Sequence, residues 1–207
     1  MASRVLPPII GLAGHAGTGK DTAAKFLAVL GYRPFSFSDA LYTEVADAFG
    51  VPRHLLTTRE TKETDTSLLA LEHCGDAGFI AALLDADVIN TMVDGYTVSR
   101  SPRWIMQRWG TEYRRRQDPD YWIKRAADIY RRRGPLMANT STRFENEAAW
   151  IRAGGGVIFR LQRDAAGCAA HSSERDLPAA LVDAEVDNNG SLDDLFKHLQ
   201  AALATLA

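Results

Sequence analysis

The chain predicts an α/β fold, a parallel sheet with helices on both faces, and three observations carry that expectation. Short apolar runs alternate with helix-competent segments along 207 residues, the pattern that yields parallel strands joined by crossover helices. A glycine-rich turn ending in lysine follows the first apolar run and opens the first helical segment. The composition, 46% hydrophobic and 24% charged, is that of one packed domain and not of a disordered chain.

The elements follow in order. A first strand is expected over Pro8 to Ala13, then a loop and a helix from near Lys20 to near Gly31. Arg33 to Phe37 reads as a short second strand, with Asp39 at its carboxyl end and a helix from Asp39 to Phe49. Residues 51–101, rich in Thr and acids and broken by a turn at Asp94-Gly95, read as an inserted, partly helical arm. Two helices, Pro102 to Gln117 and Pro119 to Arg133, precede a strand at Leu136 to Asn139 and a helix from Glu145 to Ala153. Gly154-Gly155-Gly156 breaks the chain before a strand at Val157 to Leu161, with Arg160 and Arg163 placed at or beyond its end. A last strand near Ala184 to Val186 leads through Asp187-Asn188-Asn189-Gly190 to a final helix. Ser191 and Asp194 have capping-box spacing there, ahead of Leu192, Leu195, Phe196 and Leu199.

The stretch Gly14-His15-Ala16-Gly17-Thr18-Gly19-Lys20-Asp21-Thr22 carries the clearest chemistry. Glycines let the backbone turn with its N–H groups inward, the following helix adds the positive end of its dipole, and the lysine reaches the outer phosphates. It reads as a P-loop, with a nucleoside triphosphate as its ligand. Most such loops carry Ser or Thr after the lysine to ligate magnesium, whereas this one carries Asp21 and then Thr22. Asp21 either holds magnesium through water or completes the first helical turn, where the dipole favours an acid.

From Arg103 to Arg133, ten basic residues face four acids, which marks a place for an anion. On one continuous helix Arg103, Gln107 and Arg114 share a face and Trp104, Arg108 and Arg115 the next, so a guanidinium, an amide and an indole can converge on a phosphate and a base. Arg131-Arg132-Arg133 before Gly134 reads instead as a solvated helix end. The turn at Asn188 is either a ligand loop or an ordinary turn, for which Asn and Gly are the preferred residues. A net charge of -2 argues against a general nucleic-acid binder. Cys74 and Cys168 lie far apart with no metal-ligand spacing and read as free thiols. No leader or membrane-length apolar stretch precedes the first strand, so a cytoplasmic protein without membrane partners is expected.

Seven motifs taken together resemble the phage-type deoxynucleoside monophosphate kinases, P-loop relatives of the adenylate and guanylate kinases. They are Gly19-Lys20-Asp21-Thr22; Phe37-Ser38-Asp39-Ala40-Leu41; Pro102-Arg103 with Gln107-Arg108-Trp109-Gly110-Thr111-Glu112; Arg143-Phe144-Glu145-Asn146-Glu147-Ala148; Gly155-Gly156-Val157-Ile158; His171-Ser172-Ser173-Glu174; and Asn188-Asn189-Gly190-Ser191-Leu192. The resemblance implies a P-loop NTPase three-layer fold of nucleoside monophosphate kinase type, one domain over 1–207 with a lid at 163–175. It also implies transfer of the γ-phosphoryl group of ATP to a deoxynucleoside monophosphate with magnesium.

By the same resemblance the loop from Gly14 to Thr22, with Asn188, would hold ATP, and Asp21 and Thr22 the metal. Asp39, Arg103, Trp104, Gln107, Thr111 and Arg115 would hold the acceptor. Lys20, Arg143, Arg160 and Arg163 would neutralise the transferring group. Two positions depart from the family: Ser141 stands where an acid is usual, and Tyr42 where a lysine is often found. The partners implied are small-molecule nucleotides, with dimerisation left open. The alternatives are another P-loop small-molecule kinase, such as one acting on dephospho-coenzyme A, or a nucleotide-binding module without catalysis.

Overall fold

The computed structural model describes residues 6–58, 60–85, 94–164 and 176–206. The chain divides into two compact units, the first of residues 1–37 and 123–207 and the second of residues 38–122. The second unit therefore begins before the expected arm at 51–101 and ends after it.

The first unit holds five strands, β1 (Ile9–Ala13), β2 (Arg33–Phe35), β3 (Met137–Asn139), β4 (Val157–Gln162) and β5 (Ala184–Asp187). They form one parallel sheet in the order β2-β3-β1-β4-β5. β1 lies at its centre and is buried along its whole length, as strands of a doubly covered sheet must be. Ile10, Leu12, Phe159, Leu161 and Val186 point to one face. There they pack with Ala23, Ala24 and Leu27 of α1 (Lys20–Val29) and with Leu195, Leu199 and Leu203 of the last helix, Leu192–Thr205. On the other face Gly11 lies so close to Ile158 and to Ile151 of the helix Glu145–Ala153 that an added Cβ would stand 2.6 and 2.8 Å from their Cδ1 atoms. Helices on both faces of a parallel sheet were the expected fold class.

The helix Glu145–Ala153 has the expected bounds, and its start is capped by Glu147, whose buried carboxylate accepts the N–H groups of Arg143 (2.8 Å) and Phe144 (3.2 Å). The last helix begins at the predicted box: the Asp194 N–H donates to Ser191 Oγ (3.2 Å) and the Ser191 N–H to Asp194 Oδ2 (3.0 Å). β2 stops at Phe35, two residues short of the expected strand. Beyond it Ser141 Oγ accepts the Phe37 N–H (2.9 Å), so a side chain takes over from the ladder. Arg160 is the fourth of six residues in β4, inside the strand and not at its end.

The second unit is helical: α2 (Asp39–Phe49), α3 (Arg53–Thr57), two single-turn 3-10 segments, α4 (Ala77–Asp85), α5 (Asp94–Thr97) and α6 (Pro102–Arg108). Trp109–Arg115 then forms a π-helix, and α7 (Tyr121–Arg133) runs on into the first unit. With α7 placed, the helix Glu145–Ala153 is α8 and the helix Leu192–Thr205 is α9. The single helix expected from Pro102 to Gln117 is thus a short α-helix followed by a wider one. The segment 163–175, expected to be a lid, lies almost wholly outside the described residues, as do Cys168 and His171 to Glu174. No helix among the described residues is long and apolar enough to cross a membrane.

Candidate functional site

In the first unit, β1 ends at Ala13 and the chain turns at once through Gly14, whose φ of 122° is left-handed. A Cβ at that point would stand 2.5 Å from the Leu161 carbonyl oxygen, so both the turn and the neighbouring strand require glycine. Gly19, with φ 96°, forms the N-cap of α1. Thr18 is 2% exposed and ties the loop to itself, Oγ1 donating to the His15 carbonyl at 2.9 Å. His15 Nε2 lies 3.1 Å from an Asp176 carboxylate oxygen. Lys20 folds back over the loop, with Nζ donating to the carbonyl oxygens of Gly14 (2.6 Å) and His15 (2.7 Å). An ammonium resting on neutral carbonyls can transfer to an anion with a gain in Coulomb energy. Asp21 is exposed and Thr22 half-buried in the first turn of α1.

Asn188 follows β5 and reaches the loop, its Nδ2 donating to the Thr18 carbonyl at 2.8 Å. At the end of β3, Asn139 Oδ1 accepts from the Ser141 N–H (2.9 Å) and Thr142 Oγ1 (3.0 Å), and Ser141 Oγ meets Ser36 Oγ at 2.7 Å. The Ser141 hydroxyl, where the resemblance leads one to expect an acid, is therefore part of a junction between the ends of β2 and β3. Arg143 is half-buried beside α8, and Arg163 is exposed just beyond β4. Arg160 stands opposite Ala13 in the ladder, but its guanidinium is engaged by Glu185 (3.3 Å) and by the Leu177 carbonyl. Arg160, expected to neutralise a transferring group, is drawn here toward β5 by partners distant in sequence.

In the second unit, Asp39 pairs with Arg53 at 3.1 Å, and both Arg53 and Lys62 lie over the Tyr42 ring at 5.5 Å. Lys62 Nζ also donates to the Tyr42 hydroxyl at 3.2 Å. Arg103 joins this group through its N–H to the Lys62 carbonyl (2.9 Å) and through an ion pair with Glu63. Trp104 carries guanidinium groups from Arg100 (4.6 Å) and Arg108 (4.8 Å) against its ring, and Arg108 also reaches Gln107 Oε1 (3.4 Å). Thr111 is half-buried in the π segment.

The expected sharing of one face by Arg103, Gln107 and Arg114 does not hold. A π turn takes up an extra residue and shifts everything after it around the axis. Arg114 Nε goes instead to Glu44 (2.8 Å) and its guanidinium lies 4.2 Å from the Tyr113 ring centre, while Arg115 donates to the Pro119 carbonyl (3.2 Å). Arg53, Lys62 and Arg100 were missed by the sequence reading. Spaced singly along a Thr-rich and acidic stretch, they give no local signal.

The chain matches no protein-family model, and no curated protein matches it either. Among solved structures it is similar to a gluconokinase from Sinorhizobium meliloti 1021 (15% identity, 99% of this chain and 95% of that one, TM-score 0.44). It is also similar to TT1252 from Thermus thermophilus (18% identity, 98% and 100% covered, TM-score 0.46). A third is a dephospho-CoA kinase from Campylobacter jejuni (11% identity, 97% of each chain, TM-score 0.42). Similarities of this depth assign no substrate to the chain.

Proposed function

We propose that the chain is a P-loop kinase that transfers the γ-phosphoryl group of ATP to a nucleoside monophosphate, a deoxynucleotide by the resemblance of its motifs. The observation that supports it most is the loop Gly14 to Lys20. Its three left-handed glycines, Gly14, Gly17 and Gly19, and the N-terminus of α1 form an anion cradle, and its lysine rests on two backbone carbonyls within reach of the same space.

In this reading Lys20 leaves Gly14 and His15 for the β- and γ-phosphate oxygens and follows the charge as it moves. An acceptor phosphate oxygen forms the new bond to the γ-phosphorus as the bond to the β-bridging oxygen breaks, with ADP as the leaving group. No side-chain nucleophile is needed, so the protein contributes positioning and positive charge. One carboxylate and one hydroxyl suit magnesium, which keeps several waters and takes phosphate oxygens, and Asp21 and Thr22 are the residues that would hold it. When bound, the ion screens the phosphate charges and fixes their orientation.

In this reading the acceptor is held in the second unit by Asp39, Arg103, Trp104, Gln107, Thr111 and Arg115, with Arg53 beside Asp39 and Lys62 beside Arg103. Arg103→Ala and Arg115→Ala test this through ADP release at varied substrate concentrations. The Michaelis constant for the monophosphate should rise about tenfold or more while that for ATP stays within about twofold. Equal weakening of both substrates would remove the arginines from the acceptor site. Arg131→Ala, an exposed residue paired within its own helix, should change neither constant.

A further inference from the structure

We infer that Asn188 is a positioning residue for the P-loop, holding the Thr18–Gly19 peptide so that its N–H faces the phosphates. The inference rests on the ATP-site reading above and gives Asn188 a role through the loop instead of on the nucleotide.

The place of Asn188 is set by the sheet. It follows the last residue of β5, and its backbone N–H donates to the Gln162 carbonyl at 2.9 Å, continuing the β4–β5 ladder. Its side chain is buried, with 9% of the residue exposed, and Nδ2 donates to the Thr18 carbonyl at 2.8 Å. From Thr18 the connection runs on through Oγ1 to the His15 carbonyl at 2.9 Å. A line of hydrogen bonds thus joins the rigid sheet to the interior of the loop.

The geometry of one peptide group makes this matter. The Thr18 carbonyl and the Gly19 N–H belong to the same trans planar unit and point in opposite directions. Holding the oxygen toward Asn188 therefore holds the Gly19 N–H away from it. Gly19 packs against the same amide, since a Cβ there would stand 2.3 Å from Asn188 Nδ2. Glycine supplies both the φ of 96° and the space for the amide. Without the donor, the Thr18 carbonyl would be left without this buried partner, and the peptide would be free to rotate its N–H out of the cradle.

The experiment is ATP affinity by calorimetry on the full chain, with thermal unfolding alongside. Asn188→Asp keeps the shape and replaces the donor with a carboxylate facing a carbonyl, and should raise the dissociation constant for ATP about tenfold. The ratio of variant to wild-type constants should fall back as pH is lowered from about 8 to about 5, because a protonated Asp regains an O–H donor. Asn188→Ala, which removes bulk as well as the donor, should show the weakening without the pH-dependent recovery. Unchanged ATP affinity in both variants, or a ratio for Asn188→Asp that is flat with pH, would overturn the inference while leaving the ATP site standing. Failure of the wild-type chain to bind ATP would overturn the ATP-site reading and this inference with it.

Discussion

Tyr32 illustrates how one buried side chain carries a condition-dependent share of stability. It is 1% exposed, its hydroxyl donates to the Pro7 carbonyl at 2.9 Å, and burial pushes its pKa from 10.0 up to about 12. Burial favours the neutral phenol in the folded state, while the unfolded chain ionises two units earlier. The contribution is therefore complete below about pH 10 and is lost as pH rises toward 12, at about 1.4 kcal/mol per unit. Tyr32→Phe should cost about 1 kcal/mol at neutral pH through the lost hydrogen bond. Above pH 10 its stability, measured by urea unfolding at stepped pH, should overtake that of the wild type. A constant difference across the range would show that Tyr32 does not ionise on unfolding. Residues whose roles depend on local backbone were legible in the sequence: Gly14, Gly19 and Lys20 sit where the spacing put them. Arg160, Arg103 and Asn188 were only half legible, because Glu185, Glu63 and the Thr18 carbonyl, the partners that aim them, are 25, 40 and 170 residues away.

The π segment Trp109–Arg115 is the element that most changes the arrangement of candidate residues. Glu44 of α2 anchors it, accepting from Trp109 Nε1 (3.0 Å), Arg114 Nε (2.8 Å) and the Tyr121 hydroxyl. Asp76 adds the Tyr113 hydroxyl (3.0 Å), and burial followed by that carboxylate bond pushes the Tyr113 pKa up. Glu44→Ala would leave two aromatic donors and a guanidinium without this acceptor, a loss of about 2–3 kcal/mol in urea unfolding. The same variant should raise the Michaelis constant for the acceptor more than that for ATP, because the register of Thr111 and Arg115 depends on the π turn. A loss below about 0.5 kcal/mol would mean that the segment holds itself. Helices α8 and α9 were legible because apolar spacing and caps are local signals. The π segment was not, since Gln107 to Arg115 has good α-helical spacing and only its tertiary partners select the wider turn.

At the scale of the molecule, alternation and the glycine-lysine loop foretold a parallel sheet with helices on both faces. The strand order β2-β3-β1-β4-β5 puts β1, and hence the start of the loop Gly14 to Lys20, at its centre. The extent of the second unit, residues 38–122, was not legible, because α2 and α6 carry ordinary amphipathic signals that do not announce which unit they join. In the proposed reaction phosphate leaves ATP for a nucleoside monophosphate. The most direct measurement follows γ-labelled ATP incubated with magnesium and each common nucleoside monophosphate, for the wild type and for Lys20→Met. Label should appear in one or more nucleoside diphosphates with the wild type, and that transfer should fall about a hundredfold or more in Lys20→Met with folding little changed. Label that stays in ATP or appears only in inorganic phosphate with every acceptor, or equal transfer by Lys20→Met, would contradict it.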